Sequence, residues 1–100
     1  MVKNLDGYIR LASDGTKTSV DTILADINRE MSIGLSKIID YSLSFVQSSE
    51  GIERMTYYLF HGTQIQRNYC TLYFNRRGDW PLVRQAFEQG LIDEIQAFSR

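Results

Sequence analysis

The sequence has one cysteine, one proline and one histidine in 100 residues, and each scarcity closes a class of explanation. Cys70 has no second thiol to pair with. That excludes a disulfide-stapled mini-domain and fits a reducing compartment, so a cytoplasmic setting is expected. Pro81 alone, with seven glycines, excludes collagenous and low-complexity chains. No apolar run approaches the roughly 18 residues that a membrane span requires, so no membrane partner is expected. The opening Met1-Val2-Lys3-Asn4-Leu5-Asp6 lacks the apolar stretch of a secretory signal, and none is expected there. His61 has no acid or nucleophile assigned beside it by any motif, as a general base would need. With no catalytic signature, metal-ligand spacing or cofactor motif legible, the chain is read as a non-enzyme without cofactor or metal.

Charge of either sign is also thin. The formal net charge is -1: residues 1–50 hold five Lys/Arg against seven Asp/Glu, and residues 51–100 hold six against five. Neither half has the basic footprint of a strong nucleic-acid binder, so nucleic acid is not the expected partner. What the chain does have is 43% hydrophobic residues, enough to close one small domain.

The pattern of those residues predicts an all-α fold behind a different N-terminus. Residues 1–17 read as an N-terminal arm or a β-hairpin, because Tyr8-Ile9-Arg10-Leu11-Ala12 alternates weakly and Asp14-Gly15 is a hairpin-turn pair. Residues 18–100 read as a single all-α domain, a small bundle of antiparallel helices. Thr18 and Asp21 have capping-box spacing, and apolar residues recur every three or four positions from Val20 to Phe45. Gly34 interrupts that stretch, predicting a break or kink within 19–47. Gln47–Gly51 reads as a turn, followed by a helix over 52–61 that Gly62 ends with a positive φ. Thr63 with Gln66 is the clearest capping box in the chain and starts a helix over 64–77. Asp79 caps the next helix, with Pro81 in its first turn, and Gly90 ends it. A last helix runs over 91–98 with Leu91, Ile95 and Phe98 facing inward.

Helix 64–77 carries most of the functional expectation. Leu72, Ile65, Tyr69, Tyr73, Cys70 and Phe74 cover about 200° of its circumference at 100° per residue. Gln64, Arg67, Asn68, Thr71 and Asn75 fill the rest as one narrow polar ridge, solvated on the plainest reading and a contact stripe for a protein or peptide on the functional one. Tyr57, Tyr58, Tyr69, Tyr73 and Trp80 crowd the same region, either as core residues with edge hydroxyls or, beside Arg67, Arg76 and Arg77, as an interface. Cys70 lies within the packed arc and reads as an inert core thiol. His61 reads as a C-terminal cap, and Asp26 with Glu30, one helical turn apart, as a solvated like-charge pair rather than a cation site.

Residues Leu59 to Arg67, then Ile65 to Asn75, then Leu82 to Ile92 are similar in order to a helix end, tight turn, long third helix and short restarting helix. In this the chain from about 52 to 98 resembles armadillo/HEAT-type helical repeats, over under half its length and one full repeat unit. Tyr69, Thr71 and Phe74 depart from the family's pattern. The resemblance implies helical hairpin packing, and places Asn75 where peptide-binding members of the family carry an asparagine that pairs with the ligand backbone. The resulting expectation is a small protein-interaction module that self-associates, with a homodimer as one form. The alternative is a helix-turn-helix DNA-binding regulator, in which Gln64, Gln66, Arg67 and Asn68 at the start of the second helix would reach base edges.

Overall fold

The computed structural model describes residues 4–98. Among them the chain is helical, with no strand: α1 (Leu5–Asp14), α2 (Lys17–Ala25), α3 (Ile33–Leu43), α4 (Ser49–His61), α5 (Gln64–Arg77), α6 (Trp80–Glu88) and α7 (Glu94–Ala97). None of these helices is long and apolar enough to cross a membrane. The chain divides into two compact units, one ending at Met55 and the other starting at Thr56, so the division falls inside α4.

In the first unit, the segment expected as an arm or β-hairpin is a helix. Asn4 caps it by accepting the Gly7 N–H at 2.9 Å, and Tyr8 and Ala12, one turn apart, are buried where α1 packs on α2 and α3. Asp14-Gly15 does supply a positive φ, 65° at Gly15, but as a left-handed helix cap whose N–H returns to Leu11 O. A hairpin turn and a helix C-cap make the same demand on glycine, so the dipeptide alone does not separate them.

Thr16, not Thr18, starts α2 by accepting the Ser19 N–H at 3.2 Å. The Asp14 carboxylate accepts the hydroxyls of Ser19 at 2.7 Å and Thr16 at 2.9 Å, and these bonds, Ser19's foremost, hold its pKa below the usual carboxylate range. The break expected near Gly34 lies earlier, over residues 26–32. Ser32 caps α3 through the Leu35 N–H at 3.0 Å, leaving Gly34 in the first turn, while Asn28 folds the connection by accepting the Glu30 N–H at 2.9 Å. Asp26 and Glu30 therefore do not share a helical face. Asp26 accepts the Tyr8 hydroxyl at 2.8 Å instead, and burial together with that carboxylate pushes the Tyr8 pKa up to about 12.

The expected turn over 47–51 is shorter, because Ser48 acts as a cap and α4 begins at Ser49. The Ser48 hydroxyl accepts the Gly51 N–H at 3.0 Å and donates to Gly15 O at 2.7 Å. Glu50 accepts the Lys17 N–H at 2.6 Å, and Arg54 pairs with Asp21 at 2.6 Å. These bonds fasten the start of α4 to the α1–α2 corner over a core of Ala12, Val20, Ile23, Leu24, Ile39, Leu43, Val46 and Met55.

In the second unit, α5 packs on α6 and α7, and α6 on α7. The Thr63–Gln66 capping box forms as its spacing requires, with Thr63 Oγ1 accepting the Gln66 N–H at 3.2 Å and Gln66 Oε1 accepting the Thr63 N–H at 2.9 Å. Gly62 does not take the positive φ expected of it. Its glycine requirement is spatial, since a Cβ there would sit 2.7 Å from Tyr58 O. Asp79 precedes α6 without a side-chain cap, because its carboxylate is ion-paired with Arg77 at 2.9 Å. The last helix is only Glu94–Ala97, since Asp93 caps it through the Gln96 N–H at 2.8 Å. That later start rotates the face expected to point inward: Ile92 and Ala97 are buried, while Ile95 is 79% exposed.

The glycine geometry yields a first prediction. Gly15→Ala meets both a left-handed backbone and the Ser48 hydroxyl, and should destabilise the chain by about 2–3 kcal/mol. Gly34→Ala, in ordinary helical conformation with only the Ser32 hydroxyl in contact at 4.0 Å, should stabilise by about 0.5–1 kcal/mol. Urea denaturation of both variants checks the opposite signs.

Candidate functional site

The five polar residues expected on one wet ridge of α5 divide into two rows. Arg67, Thr71 and Asn75 stand four apart and share one line along the helix, while Gln64 and Asn68 form a second line beside it. Gln64 is exposed and Asn68 half-buried, and the Gln64 amide donates to Asn68 Oδ1 at 3.0 Å. Thr71 is 0% exposed and Asn75 6%, so the ridge is not solvated along its length.

Each member of the first row donates a hydrogen bond inside the protein, although Asn75 Oδ1 is buried and accepts none from a described residue. Thr71 donates its hydroxyl to Arg67 O at 2.8 Å, one turn back, which lets it pack like an apolar residue. Arg67, half-buried, donates from Nε to Leu91 O, from Nη1 to Gly62 O and from Nη2 to Gln64 Oε1, all at 2.8 Å. The Asn75 amide donates to Gln96 O at 3.3 Å and reaches Ala97 O at 3.5 Å. Two side chains of α5 thus hold the backbone carbonyls of the segment over 91–97. The planar guanidinium is suited to this because its donors form a rigid fork that spans separate acceptors.

The segment held by this clasp leads into a groove, which Ala97 and Phe98 help to line. Trp80, Pro81, Arg84, Ala97 and Phe98 line a cavity of about 390 Å³. Trp80 and Arg84 lie one turn apart on α6, and Pro81 occupies the first turn, where its missing N–H leaves no intrahelical bond unmade. Phe98 stands edge-on to Phe87, ring centroids 5.7 Å apart, and remains 46% exposed, as Trp80 is 47% exposed. Arg84 is exposed and makes no hydrogen bond or ion pair with a described residue.

The remaining singled-out residues do not join this groove. Tyr73 is buried edge-on to Phe74 with the Arg77 guanidinium 5.8 Å from its ring centroid, and burial raises its pKa. Tyr69 is half-buried, and Tyr57 is exposed with its ring 4.9 Å from that of His61. Cys70 is fully buried, and loss of water around the thiol pushes its pKa up. Of the groove residues, the sequence pattern offers Trp80 as an interface candidate, Pro81 as a first-turn residue and Phe98 as an inward-facing one, and gives Arg84 and Ala97 no role. The signal for Arg84 was its i, i+4 spacing from Trp80 beside Pro81, which shares a face only once the helix start is fixed at Trp80.

The clasp gives the second prediction. Arg67→Ala leaves the carbonyls of Gly62 and Leu91 without their donor and should lower stability by about 2 kcal/mol. Arg67→Lys should recover less than half of that loss, because an ammonium cannot span the three acceptors. Urea midpoints of the two variants measure the difference.

No protein-family model matches the chain, and no curated protein or solved structure matches it.

Proposed function

We propose that this chain is a small protein-interaction module that self-associates and performs no catalysis, with the Trp80–Phe98 groove as its contact face. The observation that carries the proposal is the composition and exposure of that groove. Two half-exposed aromatic rings, a proline and an arginine without a described partner converge on one cavity. Tryptophan and arginine are the residues that most often dominate contact energies, when they sit in a concave site that a partner can dry. The polar ridge of α5 supports this face from behind, because Arg67 and Asn75 hold the segment that carries Phe98. Within the armadillo-like reading of 52–98, Asn75 takes backbone carbonyls as a peptide-binding asparagine would, here those of its own chain. A cytoplasmic setting belongs to the same proposal and is supported by the lone reduced Cys70.

Binding DNA as a helix-turn-helix would ask Gln64, Gln66, Arg67 and Asn68 to reach base edges. Gln66 serves the capping box, Gln64 and Asn68 bond each other, and Arg67 spans three acceptors. Those commitments favour the interaction module.

Size-exclusion chromatography with light scattering at tens of micromolar tests the proposal. The wild-type chain should give a mass above that of the 11.6 kDa monomer, and Trp80→Ala should return it to the monomer. A wild-type chain that stays monomeric throughout would contradict self-association.

A further inference from the structure

The groove and a second feature of the same unit complement each other. Glu94 and Ile95 open α7, with one residue between them and Ala97 and Phe98, which line the cavity. Ile95 is the most exposed of the large hydrophobic residues described, at 79%. Glu94 is exposed, and its carboxylate makes no hydrogen bond or ion pair with a described residue. The groove offers the converse set: aromatic walls at Trp80 and Phe98, and at its edge the uncommitted guanidinium of Arg84. An apolar side chain beside a free carboxylate is the chemistry such a groove would take.

We infer that the occupant of the Trp80–Phe98 groove is a second copy of this chain, presenting Ile95 to the aromatic walls and Glu94 to Arg84. The contact is isologous. Each copy lends both a groove and a Glu94-Ile95 edge, so one two-fold axis generates two ion pairs and two apolar insertions. Arginine suits the pairing because its fork can take both carboxylate oxygens. The charge pair also fixes the register, since a copy docked in the wrong sense would oppose Arg84 to Arg84 or Glu94 to Glu94. This docking rests on the self-association proposed above and adds the identity of the docked segment.

Charge reversal in the full-length chain tests it. Sedimentation equilibrium would be run on wild type, Arg84→Glu, Glu94→Arg and the double variant, with circular dichroism melts confirming that each folds. Both residues are exposed and make no hydrogen bond or ion pair with a described residue, so the melts should match wild type. Each single reversal should weaken the dimer by about tenfold or more, and the double reversal should return it to within about threefold of wild type. Ile95→Asp should remove association altogether. The inference is overturned if the wild-type chain associates but both single reversals leave its dissociation constant within about twofold, or if the double variant is no better than the worse single. Self-association would then stand on another face. A monomeric wild-type chain would instead take down self-association itself, and the docking with it.

Discussion

The second unit depends on hydrogen bonds from one guanidinium to backbone carbonyls 29 residues apart in the chain. Arg67 holds Gly62 O, at the turn before its own helix, and Leu91 O, in the segment that follows α6. That segment has little structure of its own. Its helix is four residues long, too short to persist on local bonds, and most of its carbonyls have no helical partner. Arg67 and Asn75 supply donors where the helix cannot. Both bind backbone oxygens, so they fix the path of the segment while leaving its outward side chains free to vary.

The proposed contact face follows from that path. With Leu91, Gln96 and Ala97 held by their carbonyls, Ile92 and Ala97 turn inward, and Phe98 comes beside Trp80 at the cavity. Ile95 is left outward by the same geometry, because the Asp93 cap sets the phase of the final turn. In the proposed dimer a second copy would cover the exposed Ile95 and the half-exposed rings of Trp80 and Phe98. There the polar row of α5 would contribute by shaping the chain rather than by meeting the partner.

The helical class was legible in the sequence from spacing alone, and so were the strongest local signals. The Thr63–Gln66 box and the span of α5 over 64–77 both formed where their residues placed them, because helix ends are decided within one helical turn. The errors share a cause. Asp14-Gly15 was ambiguous between hairpin and helix cap because both use a glycine of positive φ. Thr71 and Asn75 read as solvated because polarity was taken as exposure, while a back-bond to Arg67 O and distant carbonyls allowed both to be buried. The final helix starts three residues later than its apolar spacing implies, and the inward face rotates with it. Gly62 was correctly a required glycine for the wrong reason, being needed for the approach of Tyr58 O. Local rules located elements, and long-range hydrogen bonds decided which polar residues they hid.

Amide hydrogen exchange at Ala97 and Phe98, compared between wild type and Arg67→Ala, tests the clasp most directly. Their N–H groups bond to Asp93 O and Glu94 O within the final turn, so protection there reports whether that turn is held. The clasp predicts that Arg67→Ala lowers protection at Ala97 and Phe98 by about tenfold or more, with Ala86 and Phe87 in α6 losing far less. Equal protection at Ala97 and Phe98 in the two proteins would contradict it and leave the groove without its support.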